Sequence, residues 1–281
     1  MKNLDLEVCR GEIFGFLGQN GAGKTTTIRI LLDLLRPTSG SAAIFGHDCQ
    51  SDSLQARAAI GYLPGEMGNY SDLTGHELLR FLERIGSVTI SGEHRADLIR
   101  RFELSDRDLS RKLREYSTGM KRKLGLVQAF QADPPLLILD EPTEGLDPLM
   151  QEAFYKLLGE TRDRGRTVFM SSHVLPEVER VCDRIALLRR GEVVLLSSVE
   201  DARRRASRRV RVSFGEDVAV PVSLPRGYEM TEAKPRNWIL QVTGQLGALP
   251  ALLASFPVAD LSVEEVRLED VLVAYYRDGG E

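Results

Sequence analysis

No apolar run in this chain is long enough to cross a bilayer. The longest, at residues 136–139 and 193–196, fall far short of the roughly 20 residues a helical span needs. Residues 1–12 mix acids with apolar side chains and lack a signal-peptide layout. Cysteine is scarce: Cys9, Cys49 and Cys182 are odd in number, far apart and without a CxxC pair. That pattern offers no disulfide framework and reads as free or buried thiols in a reducing compartment. Neither sign of charge dominates, with 37 Lys and Arg against 41 Asp and Glu and a formal net charge of −4. Such a surface has no global pull toward nucleic acid or anionic lipid. No internal repeat or low-complexity segment stands out. The expected location is cytoplasmic, so any membrane role needs a partner.

What is present is length and alternation. With 281 residues the chain can bury a large core and carry a small appendage. Residues 12–17 read as a buried strand and 24–35 as a helix, with a glycine-rich turn between. Further strands are expected at 42–45, 60–63, 166–170 and 184–188, the last leading through a Gly191 hairpin to Val193 and Leu195. Thr74 and Glu77 form a capping box for a helix through Leu78, Leu82 and Ile85. Helical, polar-rich pattern continues to Glu115, and Asp147-Pro148 is a strong helix start. Alternating helices and buried strands argue for an α/β fold with a mostly parallel sheet.

From about residue 201 to 209 the composition turns arginine-dense, at Arg203, Arg204, Arg205, Arg208 and Arg209. Without interleaved aromatics this reads as a solvated linker face rather than a phosphate or lipid contact. Beyond it, alternation at Val210, Val212 and Phe214, a strand at 238–242, a helix near 246–254, a strand near 258–263 and a closing helix from Leu268 describe a small C-terminal α+β domain. The expected division is 1–205 and 206–281, with a helical subdomain at about 66–115.

Two motifs carry chemistry. Gly18-Gln19-Asn20-Gly21-Ala22-Gly23-Lys24-Thr25 fits G-x-x-x-x-G-K-[ST]. Glycines let backbone N–H groups converge on phosphate oxygens, and the following helix presents its positive end. Lys24 would neutralise β/γ oxygens and the Thr25 hydroxyl would ligate Mg²⁺. Downstream, the apolar run 136–139 ends in Asp140 and Glu141, where ligands of open α/β sheets bind. Two acids there also fit a helix cap or a solvated loop; beside the phosphate cradle they read as a Mg²⁺ ligand, Asp140, and a general base, Glu141.

Tyr116-Ser117-Thr118-Gly119-Met120, just upstream of Asp140-Glu141-Pro142-Thr143, resembles the signature sequence of ABC ATPases. The resemblance covers about residues 1–200 and is to the subunit type that works with separate membrane permeases. It implies a P-loop NTPase of ABC ATPase type that binds ATP and Mg²⁺. It further implies that Ser117 and Gly119 cap nucleotide held by a second copy of the chain, that His173 touches the γ-phosphate and that Thr26 reaches the α-phosphate. An integral membrane permease is the implied partner, exporters are the implied class, and no nucleic acid is expected. His47, His76 and His94 read as structural. Glu144-Gly145-Leu146-Asp147 resembles a loop that passes information across the ATPase dimer.

The resemblance also has departures. Gly65 stands where relatives place a Gln; either Glu66 substitutes for it, or water fills the gap and Glu66 is a surface acid. Met120 and Thr118 replace a Gln and a Gly of the best-known signature, and Glu144 a common Ser. Relatives carry a further strand and an adenine-stacking aromatic ahead of Met1, a contact worth about 1–3 kcal/mol, so the chain reads as an N-terminally shortened version. The weaker match of the tail, 260–276, is to export-type subunits. Two other classes fit less well: a soluble ABC ATPase acting on ribosomes or DNA, and a weakly hydrolysing nucleotide-dependent regulator.

Overall fold

A strand buried at every position must lie inside a sheet covered on both faces, and Ile13–Gly18 (β1) is such a strand. The computed structural model describes residues 2–264 apart from 69, 87–88, 206 and 222. After β1 comes a glycine turn and helix α1, Lys24–Leu31. A short hairpin of β2 (Ala43–Ile44) and β3 (His47–Asp48) leads through α2 (Ser53–Ala58) to β4 (Ile60–Leu63). The helical stretch holds α3 (Gly75–Gly86), α4 (Gly92–Arg101) and α5 (Asp106–Leu109), and α6 (Thr118–Phe130) follows. Then β5 (Leu136–Asp140), α7 (Pro148–Asp163), β6 (Thr167–Ser172) and α8 (Leu175–Val181) alternate. The hairpin β7 (Arg184–Arg189) and β8 (Glu192–Ser198) closes the sheet. Its turn residues Arg190 and Gly191 have φ of 49° and 83°, as a two-residue type I′ turn requires.

The six strands run in the order β4-β5-β6-β1-β7-β8. The pairs β4–β5, β5–β6, β6–β1 and β1–β7 are all parallel. Their carboxyl ends therefore open on one edge, and the segments that follow β4, β5, β6 and β1 become neighbours there. Phe169 locks the middle of the sheet, its ring 5.9 Å from Phe14 and 5.2 Å from Phe16. On the other side of β1, α8 packs onto bare backbone: a Cβ at Gly15 would lie 2.7 Å from Val178 Cγ1 and 2.9 Å from Cys182 Sγ. Burial pushes the Cys182 thiol well above its ordinary range, so it is an inert core residue.

Helix α1 stops before Leu35, earlier than its apolar pattern predicts. Asp33 takes the left-handed conformation (φ 55°), and the amides of Asp33 and Leu34 bond Ile30 and Arg29 carbonyls in a Schellman cap. The apolar side chains of Leu34 and Leu35 consequently point outward and are exposed. Local capping overrode the pattern. The expected boxes are present: Glu77 accepts from the Thr74 N–H, and Asp147 accepts from the Met150 N–H ahead of Pro148. His76 and His94 are structural, 2.9 Å from Asp106 Oδ1 and 3.1 Å from the Phe130 carbonyl.

The chain divides into compact units at Leu196/Ser197, ahead of α9, Val199–Arg205. The second unit contains β9 (Ser207–Phe214), β10 (Tyr228–Lys234), β11 (Asn237–Thr243), the short helix α10 (Leu249–Leu253) and β12 (Val258–Glu264). The sheet order is β10-β11-β9-β12. One face buries Val210, Val212, Leu240 and Val242 around Trp238, whose ring meets Phe214 at 4.5 Å and Phe256 at 4.8 Å. Arg208 and Arg209, expected on a linker, lie instead on β9, because alternation with the buried valines extends the strand through them. The helix expected from Leu268 lies outside the described residues.

Candidate functional site

The segment after β1 is a turn that only glycine tolerates at two places: Gly21 and Gly23 have φ of 82° and 115°. A Cβ at Gly18 would lie 2.7 Å from the Leu188 carbonyl oxygen, so that strand end must be bare too. Gln19, Asn20 and Gly21 form the exposed crest, and Ala22 is buried beneath it. Lys24, 6% exposed, opens α1. Its Nζ donates to the Gly18 carbonyl (2.6 Å) and lies 3.1 Å from Glu141 Oε1. Thr25 Oγ1 donates to Asp140 Oδ2 at 3.0 Å. Thr26 lines a neighbouring cavity of about 1290 Å³ with Ile30, Gly40, Ser41 and Phe45.

Asp140 ends β5, 2% exposed, with its other carboxylate oxygen accepting from Ser171 Oγ. Ser171 in turn accepts from the Glu141 N–H at 3.1 Å. Register explains the contact, since Asp140 and Ser171 are direct partners across the β5–β6 ladder. Glu141 adopts φ 49°, a left-handed conformation that costs a non-glycine residue about 1–3 kcal/mol. In that geometry Oε1 meets Lys24, and Oε2 meets His173 Nδ1 at 2.8 Å. Three segments that are distant in sequence thus converge as the sheet order dictates.

The Thr25 hydroxyl and Asp140 carboxylate are hard oxygen donors of the kind Mg²⁺ takes when water and phosphate complete its shell. Among the described residues no cluster of three or more acidic, His or Cys side chains forms a self-sufficient metal cage. The donor set fits a metal that arrives with its nucleotide.

Ser117 caps α6, its Oγ accepting from the Met120 N–H at 3.2 Å. Gly119 is pressed against the following loop: a Cβ there would lie 2.9 Å from the Gly145 carbonyl oxygen. Among the described hydrogen bonds none joins Ser117 or Gly119 to the 18–26 cradle of the same chain. Gly65 backs onto Asp140, where a Cβ would lie 3.3 Å from Oδ2, and Glu66 beside it is exposed.

Sequence reasoning missed Ser171, Arg122 and Glu177. Arg122 is buried at 5% exposure and donates to the carbonyls of Pro64, Gly65, Asp140 and Glu144. Its signal was legible, because it falls on the same helical face as Leu126 and Ala129, a cation in an apolar stripe. Glu177 on α8 is also buried, holding hydrogen bonds from Thr143, Tyr155 and Ser172 behind the Glu141–His173 pair. Burial pushes its carboxyl above the ordinary range, and the Glu141 charge adds to the rise.

A raised folded-state pKa means that the fold holds this proton more tightly than the unfolded chain does. The associated stability is present below pH 4.5 and is lost as pH climbs through the folded value. Glu177→Gln, which keeps an acceptor without the charge, should therefore gain thermal stability relative to wild type as pH rises. Melting temperatures of both proteins between about pH 4 and 8 test this; parallel curves would refute it.

The family model described as ABC transporter matches residues 1–144. The chain is 31% identical over 278 residues to the bacitracin transport ATP-binding protein BcrA of Bacillus licheniformis, covering 96% of this chain and 90% of that one. It is 41% identical over 195 residues to the daunorubicin/doxorubicin resistance ATP-binding protein DrrA of Streptomyces peucetius, covering 68% of this chain and 58% of that one. Matches to curated relatives thus span from 58% to 90% of the relatives' own length, with 60% for an uncharacterized Nostoc ATP-binding protein. Among solved structures, the dimeric post-hydrolysis form of the ATP-binding cassette MJ0796, bound to ADP and Pi, superposes with a TM-score of 0.64 at 25% identity. That match covers 71% of this chain and 90% of the cassette. Cradle, carboxylate pair and signature turn all fall in the matched region, and the chain belongs to the ABC transporter family as one of its ATP-binding proteins.

Proposed function

We propose that this chain binds Mg·ATP and hydrolyses it as one of two facing copies that drive a membrane permease in the export direction. The observation that carries the reading is Glu141, held between Lys24 Nζ and His173 Nδ1 beside the Thr25–Asp140 pair. Backbone N–H groups of 19–25 and Lys24 grip the β- and γ-phosphates, and Thr26 reaches the α-phosphate. Thr25 and Asp140 would hold Mg²⁺, which would supply charge neutralisation at the phosphates. His173, with the Ser117 hydroxyl and Gly119 N–H of the second copy, orients the γ-phosphate. Glu141 takes a proton from the attacking water as its oxygen bonds to the γ-phosphorus and the bond to ADP breaks.

Two features support the two-copy arrangement and the permease. Ser117 is exposed, and its hydroxyl, which accepts from the Met120 N–H, keeps its own proton to donate, so this helix end can cap another ligand. Tyr70, Phe81 and Ile85 on the helical stretch are 38%, 42% and 64% exposed, an apolar patch suited to a permease. No described helix is long and apolar enough to cross a membrane. The names of relatives point to antibiotic-like cargo. Phosphate release by the purified chain should require Mg²⁺ and rise more steeply than in proportion to protein concentration. Metal-independent release strictly proportional to chain would overturn the reading.

A further inference from the structure

We propose that Arg122 is a positioning residue that couples the signature turn to the hydrolytic carboxylates of its own chain, so that a copy can close on its partner only when both are in register. The inference rests on the two-copy reading above. Arg122 sits in the second turn of α6, whose first turn is capped by Ser117. From there one guanidinium reaches Pro64 O at 2.9 Å, Gly65 O at 2.6 Å, Asp140 O at 3.4 Å and Glu144 O at 3.2 Å. The Glu144 carboxylate lies 3.7 Å from the same guanidinium.

These acceptors come from different segments. Pro64 and Gly65 follow β4, Gly65 backing onto the Asp140 carboxylate, Asp140 ends β5, and Glu144 lies in the loop pressed against Gly119. Anchoring α6 to the core does not require a cation, because Leu124, Leu126, Val127 and Phe130 of the same helix are already buried. Burying a guanidinium is costly unless its N–H groups are satisfied, and here they are satisfied only while all three segments keep this spacing. A displacement of the Gly65 turn or of the Asp140 end breaks bonds at Arg122 and is transmitted to the helix that carries Ser117. The planar five-donor fork is what permits one side chain to bridge three segments; an ammonium cannot reproduce it.

The test uses the full chain with Glu141→Gln to hold ATP, adding Arg122→Lys or Arg122→Met. Binding of a fluorescent ATP analogue to the dilute chain, ATP-induced dimerisation by sedimentation and the melting temperature are measured together. Arg122→Lys should keep nucleotide affinity within about threefold and weaken ATP-induced dimerisation by about tenfold or more, as loss of charged hydrogen bonds predicts. A merely structural role would lower the melting temperature and leave dimerisation unchanged wherever the fold is intact, and that result overturns the proposal. If Arg122→Met does not fold, Arg122→Lys decides. A Glu141→Gln parent that stays monomeric with ATP overturns the two-copy reading and this proposal with it; a parent that dimerises as tightly with Arg122→Lys as without overturns this proposal alone.

Discussion

Replacing Glu141 by Gln should lower ATP turnover by about 10²–10⁴ while leaving nucleotide binding intact. The substitution keeps size and hydrogen-bonding capacity at a backbone position already held in the left-handed region, so the turn itself has no new strain to absorb. What it removes is the feature of Glu141 that water activation needs, a carboxylate able to accept a proton. In the structure both of its oxygens are engaged, one by Lys24 and one by His173. A triphosphate gives Lys24 a more highly charged partner, and the released oxygen becomes the proton acceptor. Steady-state phosphate release and equilibrium titration with nucleotide check both halves of the expectation. Turnover within a few-fold of wild type would remove Glu141 from the mechanism.

Lys24→Ala should have the second large effect, and of the opposite kind. A buried ammonium that hydrogen-bonds phosphate is worth about 1.5–3 kcal/mol, so nucleotide affinity should fall about 10–100-fold. Turnover should fall further, by about 10²–10³, because charge developing on the transferring group loses a preorganised donor. The same change strips Glu141 Oε1 of its partner inside a pocket where Lys24 is only 6% exposed. Glu141→Gln and Lys24→Ala therefore separate chemistry from binding at two ends of a single contact. Nucleotide titration of both variants should show affinity lost in Lys24→Ala alone; equal affinities would show that the cradle's backbone suffices.

The legible parts of this site were those written contiguously. Gly18 to Thr25 announced a turn whose backbone must be bare, and residues 136–141 announced a strand delivering two acids. The less legible parts are single residues whose neighbours come from elsewhere in the chain. Ser171 fell just beyond the expected strand 166–170, yet its hydroxyl holds both Asp140 and the Glu141 amide. Arg122 stood inside a basic run with Lys121 and Lys123, and only helical phase distinguishes the buried cation from its half-exposed neighbours. The end of α1 was misjudged for a related reason: an Asp33 cap of a few hydrogen bonds outweighs an apolar pattern that continues to Leu35.

By itself, the sequence determined which backbone could wrap a phosphate and which strand would end in carboxylates, because each depends on residues close together along the chain. Only the tertiary structure decided that β4, β5, β6 and β1 lie side by side. That order places Gly65, Asp140, Glu141, His173 and Lys24 within one cluster and aims Arg122 at its base. The physical reason is that strand order and ladder register are set by packing of the whole sheet between its helices, a property that no local stretch of residues carries.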